Sequence, residues 1–383
     1  MATNTLTSIL PTAYSALNKV LREPFSLIRQ AYRNSSAEQV ALNQTISYPV
    51  VPAFGTANDN TPAATAPDAT GITIGNDTMT ITQSKNHRFN FNGEEQRSIS
   101  QDGLYANVLE QIFAQAFRKH INTIEAYCLG VAYKSSSRAV GTAGTAPFAS
   151  NTDVLAEAYK ILTENASPRD DLQCVINPAA AYNLRKLDIL KKANESGDNM
   201  YRTAILGNLY GFMINESAGI PLHTIGTGTG YQVNLVAGYP VGSTTIAADQ
   251  GSGTIVAGDV LTNSQSGRDS NKYVVKTALA SGSLVLNNPG TVVAWVNDDT
   301  LAVGAAYRAN LAFDRYGIHI VTRAPLMPEG GDGADDVQMI TDPVSGLSFQ
   351  LAMYGQYRQR MIEVAIAYDC KVVQPESVVT IMG

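Results

Sequence analysis

LYANVLEQIFAQAFRKHINTIEAYCLGVAYK, residues 104–134, decides how the rest of this chain is read. Leu104, Val108 and Ile112 recur at four-residue spacing, with Leu109, Phe113, Phe117 and Ile121 as the row beside them, so the two rows merge into one broad apolar stripe. At 1.5 Å per residue the stretch predicts a helix of about 46 Å, roughly twice the usual length or more and a girder for a domain. Phe113 and Phe117 stand one turn apart at the centre of the stripe, where they should face a layer of strands built partly by the C-terminal segment.

Upstream, GITIGNDTMTITQSKNHRFNFNGEEQRSI (71–99) alternates apolar and polar residues around the turn signal GND, predicting a two-stranded hairpin. A lone hairpin is marginal in water, so it needs another surface to pack on. Residues 53–70 are too rich in Ala, Thr, Pro, Asn and Asp to form a core and read as an exposed loop or arm, while QTISYPVV (44–51) reads as extended. TAYSALNKVLREPFSLIRQAYR (12–33) has helical spacing on both sides of Pro24, which breaks it into two short helices or one broken one.

Downstream, SSSRAVGTAGTAPFAS (135–150) is linker-like. TDVLAEAYKILTENA then reads as a helix, DLQCVINP as a buried strand and PAAAYNLRKLDILKKANES as a second helix, with Asn177 as N-cap and Pro178 in its first turn. GNLYGFMINESAGIPLH follows as a short strand and an irregular stretch. From 226 to 300 the chain changes to YQVNLVAG, STTIAAD, GTIVAGDVLT, KYVVKTALA, GSLVLNN and TVVAWV, six brief strands between Gly, Asn, Asp or Pro turns. These predict a small β-barrel or sandwich that folds as a domain of its own. LAVGAAYRANLAFDRYGIHIVTRAP (301–325) resumes mixed helix and strand character. Near the end, Arg358, Arg360, Ile362, Val364, Ile366 and Tyr368 share one face of a long strand.

Only 16% of the 383 residues are charged, so uncharged polar groups or neighbouring molecules must cover much of the surface. A net charge of -6 argues against a protein that wraps nucleic acid. No apolar run is long enough to span a membrane, and the N-terminus lacks the flanks of a signal peptide, so synthesis and folding are expected in the cytoplasm. Cys128, Cys174 and Cys370 are too scattered for a disulfide framework or zinc knuckle and read as buried thiols. His87, His120, His223 and His319 are each alone in sequence; His120 reads as a helix-face residue and His319 as a polar-face strand residue. GTGTG (226–230) lacks the Gly-Lys-Ser/Thr of a phosphate loop and reads as a hinge. The acidic pairs Glu94/Glu95, Asp170/Asp171, Asp298/Asp299 and Asp335/Asp336 read as solvated turns. No catalytic, cofactor-binding or metal-ligating residue is expected.

Five pieces resemble one family: the long helix after an extended hairpin, CVINPAAAYNLRKLD (174–188), LYGFMINESAGIPLH (209–223), NLAFDRYGIHIVTRAPLMP (310–328) and the closing QRMIEVAIAYDCKVVQPESVVTI. Together they resemble the major capsid, or coat, proteins of tailed bacteriophages, with their Hong Kong 97-type (HK97-like) α+β fold. Within that family the chain looks most like the podovirus-type coat proteins that carry a β-rich insertion.

The resemblance implies an N-terminal arm (1–43), an extended loop lying over an adjacent subunit (44–100), a peripheral domain (101–139 and 346–383), an axial domain (140–225 and 301–345) and an inserted β domain (226–300). It implies a non-enzymatic subunit that assembles with many copies of itself, as hexamers and pentamers, into an icosahedral shell around phage double-stranded DNA. The DNA is held by confinement, without a membrane. No charged coiled coil precedes the arm, so a separate scaffolding protein is implied, with a portal and a decoration protein as further partners. Some relatives weld subunits through lysine and asparagine; Lys85 lies in the extended loop, but nothing in the sequence identifies its asparagine. Other readings are a tail-tube subunit and, further off, a glycan-binding or enzymatic β-domain protein.

Overall fold

In the computed structural model the long stripe is a helix over Tyr105–Lys134. The structure describes residues 9–19, 26–50, 73–100, 105–187, 206–265, 267–342 and 345–383. In chain order the elements are α1 (Leu10–Lys19), α2 (Leu27–Gln30), β1 (Tyr32–Val40), β2 (Thr45–Val50), β3 (Gly75–Thr80), β4 (Gln83–Asn92), α3 (Gly93–Ser100) and the long helix α4. Next come β5 (Arg138–Val140), α5 (Asp153–Glu164), β6 (Leu172–Ile176), α6 (Pro178–Lys186), β7 (Asn208–Leu209), β8 (Phe212–Glu216) and β9 (Leu222–His223). A run of short strands follows: β10 (Tyr231–Val233), β11 (Thr245–Asp249), β12 (Val260–Asn263), β13 (Lys272–Ala280), β14 (Ser283–Leu286) and β15 (Thr300–Val303). The chain closes with β16 (Tyr307–Asp314), β17 (Ile318–Pro325), β18 (Ala334–Thr341), β19 (Ser348–Gln356), β20 (Gln359–Val372) and β21 (Val378–Met382).

Helix α4 lies on a six-stranded sheet ordered β1-β17-β20-β19-β18, with β4 added to the free side of β20. Leu109, Phe113, Phe117 and Ile121 are buried, and the two Phe rings meet Phe89 of β4 at 5.3 Å and Phe349 of β19 at 5.1 Å, so the apolar row faces the strand layer as its spacing predicts. Val108 and Ile112 of the other row are only half-buried.

Several sequence expectations are corrected in this region. Residues 71–99 do not close on themselves: β3 pairs with β2, and β4 pairs with β20 along ten residue pairs. The GND tripeptide lies inside β3, because Phe89 and Phe91 can pack against the core only if β4 joins the main sheet. Residues 93–100 are a helix, started by a reciprocal cap in which Asn92 Oδ1 accepts from the Glu95 amide at 2.7 Å and Glu95 Oε2 from the Asn92 amide at 3.0 Å. Strand β1, absent from the sequence reading, pairs in parallel with β17 across nearly the whole chain. Arg358 is not on β20; it sits at φ 56° in the turn before it. The loop expected at 53–70 lies outside the described residues.

A second sheet of thirteen strands runs through the rest of the molecule. Its strands β5-β21-β16-β6-β8-β7 bury Leu155, Leu162, Cys174, Ile176, Leu184, Phe212 and Ile381 against α5 and α6. Asn177 caps α6 as its position predicts, accepting from the Ala180 amide at 3.0 Å with Pro178 in the first turn. The helix ends at Lys186, and the rest of the predicted stretch beyond Leu187 lies outside the described residues. The linker reading of 135–150 fails, because Arg138–Val140 form a strand held by β13 on one side and β21 on the other. The expected helix in 301–325 is absent: β16 and β17 are joined by a single turn at Arg315–Gly317, whose amide at Tyr316 is taken by Asp314.

Strands β12-β15-β10-β11-β14-β13 close on themselves through the β12–β13 pairing, making a six-stranded antiparallel barrel. Alternate residues such as Ile246, Ala248, Leu284 and Leu286 point inward to a separate core with Tyr273 and Trp295. Five of the six strands fall on the predicted runs. TVVAWV does not: Trp295 Nε1 donates to Asp269 Oδ2 at 3.1 Å inside the barrel, and its backbone makes only one bridge, to Tyr239. The sixth strand is Thr300–Val303 instead.

Candidate functional site

Buried charged side chains stand at the joints between these bodies. Glu125, near the middle of α4 and only 2% exposed, accepts from the amides of Ser26 and Leu27 through Oε1 at 3.1 and 3.0 Å, and from that of Ile28 through Oε2 at 3.1 Å. Ser217, after β8, adds its hydroxyl at 3.0 Å. The carboxylate thus caps α2 and ties the N-terminal segment, the spine helix and the second sheet together. Burial pushes its pKa up, and these four donors oppose that shift.

Asp369 on β20 makes the second joint, accepting from the Thr82 amide at 2.8 Å, the Thr82 hydroxyl at 2.5 Å and Tyr127 Oη at 3.1 Å. Beside it Lys371 reaches Asp77 Oδ1 at 2.5 Å and the Thr78 carbonyl at 2.8 Å, fixing the β2–β3 ribbon to the sheet. At the barrel's root, Asp259 Oδ1 lies 2.8 Å from His223 Nε2 and accepts from Gly226 N at 3.1 Å, while Oδ2 takes the Val256 amide at 2.8 Å. His223 Nδ1 is 3.1 Å from Tyr133 Oη at the end of α4, so the ring bridges the barrel's root to the spine helix. Burial holds the Tyr133 hydroxyl up at about 12. Arg138, 1% exposed, donates to Glu164 at 2.8 Å, Asn165 at 3.0 Å and Asn271 of the barrel at 3.3 Å.

Most of these groups are closed around one another, while Arg138, Glu164 and Asn271 line an open pocket with Glu157, Lys160 and Lys272. His87 and His120, distant in sequence, do come together, with ring centroids 4.4 Å apart. His120 lies on a face of α4, the buried one: its Nε2 lies 3.0 Å from the Val364 carbonyl, and burial holds its pKa down at about 4. Among the described residues no group of three His, Cys, Asp or Glu is placed to hold a metal. His319 sits half-exposed on β17 against Tyr32, at 4.7 Å between rings.

GTGTG is neither a phosphate cradle nor a hinge. Its amides at Gly226, Gly228 and Thr229 are committed to Asp259, Thr254 and Ser252, and a Cβ on Gly226 would come within 2.1 Å of the Thr254 carbonyl. All three cysteines are buried. Of the acidic pairs, Asp299 is no solvated turn: at 2% exposure it accepts from Asn263 at 2.8 Å and Val296 N at 2.8 Å and pairs with Arg268 at 3.0 Å. Glu94 and Glu95 open α3, and Asp335 and Asp336 lie on β18. Lys85 stands exposed on β4 opposite Ile366, in the main sheet and not in the β2–β3 ribbon.

What the molecule offers outward is surface. Among the described residues β18 has a neighbour on one side only, and its two aspartates guard that edge against uncontrolled pairing. Large apolar side chains are exposed at Tyr182, Tyr210 and Met213 by the β7 edge, at Tyr357 in the β19–β20 turn, and at Val236 and Val241 on the barrel.

No family model matches the chain, and neither does any curated protein. Among solved structures, the capsid structure of the cyanophage P-SCSP1u is similar over 94% of this chain and 89% of that one, at 14% identity and a TM-score of 0.51. A chain from Mycobacterium phage Che8 is similar over 88% and 84% at 16% identity and a TM-score of 0.45, and the virus-like particle from Pyrococcus furiosus over 98% and 98% at 10% identity and 0.45. The likeness to the cyanophage chain is one of fold. It is the Hong Kong 97-type architecture: a mixed α+β body with a long helix, an extended strand ribbon and an inserted β-barrel.

Proposed function

We propose that the chain is a shell subunit, the major capsid protein of a tailed phage, closing with its copies as hexamers and pentamers into an icosahedral particle around double-stranded DNA. The observation that supports this most directly is the arrangement just described: an arm, a ribbon and a barrel, each clipped to a rigid spine by buried charges, with polar and apolar surface turned outward. Such a subunit works through repeated interfaces. Each contact can be modest, yet many together exceed a standard interface of about 1,600 Å² and make the closed particle stable.

Roles follow by region: 1–43 as arm, 44–100 as the extended loop over a neighbour, 101–139 and 346–383 as peripheral domain, 140–225 and 301–345 as axial domain, and 226–300 as the insertion typical of podovirus-type coat proteins. The net charge of -6 suits a wall that repels packaged DNA and leaves confinement to the shell. A separate scaffolding protein and a portal complete the assembly, and the chain acts as a structural protein of the virion and not as an enzyme.

The test is to express the full chain and view the sedimenting fraction, with and without a crowding polymer, by negative-stain microscopy. Closed or spiral shells with five- and six-fold units are expected. Open tubes of stacked rings, or a protein that stays monomeric in every condition, overturn the reading.

A further inference from the structure

Where the barrel meets the body behind it, the joint at Arg138 leaves a pocket open. It has a volume of about 260 Å³ and lies between one face of α5, the strand β5 and the start of β13, with Arg138, Glu157, Lys160, Glu164, Ser270 and Lys272 on its wall. Three cations thus face two carboxylates, in a chain whose net charge is -6.

The bonds within the wall decide which of these charges are free. Glu164 is committed: Oε2 lies 2.8 Å from Arg138 Nη1, and Oε1 lies 3.5 Å from Lys160 Nζ. Arg138 spends Nη1 and Nη2 on Glu164, Asn271, Asn165 and the Ile161 carbonyl, while its buried Nε has no acceptor among the described residues. Lys272 Nζ donates to the Gly141 carbonyl and has no carboxylate partner among the described residues. The Ser270 hydroxyl stands exposed beside it. On the opposite side Glu157 is exposed and, among the described residues, in no ion pair. The wall therefore keeps a surplus of positive charge, with its arginine fixed in place and its donors outnumbering its acceptors.

We propose that this pocket binds a small oxyanion of the phosphate class, held between Lys160 on α5 and Lys272 on β13 with the Ser270 hydroxyl as a further donor. Charge selects the ligand. One oxyanion balances the surplus cation and gives Lys272 a charged acceptor, whereas a metal ion would have to compete with two lysines and an arginine for the same two carboxylates. The pocket is larger than the oxyanion, so a short polar body can enter with it and offer a hydroxyl or amine to Glu157. Because the two lysines stand on different elements, one on the body and one on the barrel, the bound anion fastens the two together and adds to the Arg138–Asn271 bond.

The test is isothermal titration of the full chain with inorganic phosphate, near neutral pH and at fixed ionic strength, with chloride as the blank. One saturable site per chain is expected, and bound phosphate should slow hydrogen exchange in peptides covering 157–164 and 268–276. Lys272→Gln and Lys160→Gln should each weaken binding about tenfold or more, as loss of a charged hydrogen bond does, and leave the melting temperature without phosphate within a degree or so of wild type. Lys276→Gln removes an exposed charge from β13 outside the pocket and should bind as wild type does. Absence of saturable binding up to about 10 mM, weaker than any specific site needs to be, overturns the proposal. An equal loss in Lys276→Gln also overturns it, since the effect is then one of overall charge. So does protection confined to other peptides, or acetate binding as tightly as phosphate.

Discussion

Replacing Glu125 tests whether the N-terminal segment is held by a single side chain. Its carboxylate accepts from three consecutive amides at 3.0–3.1 Å and one hydroxyl at 3.0 Å. A hydrogen bond to a charged acceptor contributes about 1.5–3 kcal/mol net, and a buried donor left without a partner costs about 1–3 kcal/mol. In Glu125→Gln the remaining oxygen can keep the three bonds made to Oε1 while the NH₂ group faces the Ile28 amide, so one donor is orphaned, the other three lose their charged acceptor, and docking of α2 weakens by about 3 kcal/mol or more, on the order of a hundredfold. Hydrogen exchange read by mass spectrometry on the peptide covering 26–31 should speed up by about that factor, while peptides from the barrel keep their wild-type rates. Glu125→Ala, which orphans all four donors, should expose Arg29 to trypsin in the native protein. The exposed Glu157→Gln on α5 is the control and should change nothing. If exchange at 26–31 in Glu125→Gln matches wild type, the joint is held by the apolar packing of Leu27 and Ile28 alone, and the carboxylate's role is refuted.

Phe117→Ala removes a fully buried ring that touches Phe113 and Phe349, at an expected cost of about 3–5 kcal/mol, and soluble assembly-competent subunits should be lost; Gln115→Ala, on the exposed side, should stay within about 0.5 kcal/mol by urea denaturation. His120 gives a pH signature. Its folded pKa of about 4 lies below the ordinary 6.5, so its neutral form favours the fold fully above pH 6.5, and up to about 3 kcal/mol of that is lost as pH falls through 4. The melting temperature of wild type should fall more steeply between those values than that of His120→Gln, and parallel curves would contradict the assignment.

The parts of this fold that could be read in advance are those written in local periods. Residues 105–134 keep a 3.6-residue repeat, Asn177 and Pro178 mark a helix start in adjacent letters, and most barrel strands alternate between turn signals. β1 was illegible because YRNSSAEQV is polar and becomes a strand only by meeting β17, 287 residues on at the Tyr32–His319 pair. β5 was hidden for a similar reason: SSSR looks like a linker until Arg138 finds Glu164 and Asn271. TVVAWV and TLAV look alike as strands, but Trp295 is turned inward to the buried Asp269 while TLAV pairs with β10 and β12. The α3 cap was present as Asn92 and Glu95 three residues apart, a signal the strand pattern masked. The joints had no local signature at all, since Glu125 reads as an ordinary polar helix residue and its partners lie more than ninety positions away.

The main sheet also sets a timetable for the chain's birth. Helix α4 emerges from the ribosome early, but the strands that cover Phe113 and Phe117 come mostly from β19 and β20, and β4 and β1 wait for partners at 359–368 and 319–325. At translation rates of about 5–20 residues per second, the interval between residue 117 and residue 368 lasts roughly 10–50 seconds. Throughout it the stripe that later becomes the spine has no sheet to lie on. The nascent chain therefore presents an amphipathic helix as a sustained target for a holding chaperone, and subunits stalled or truncated before β20 should be removed as aggregates instead of joining the pool.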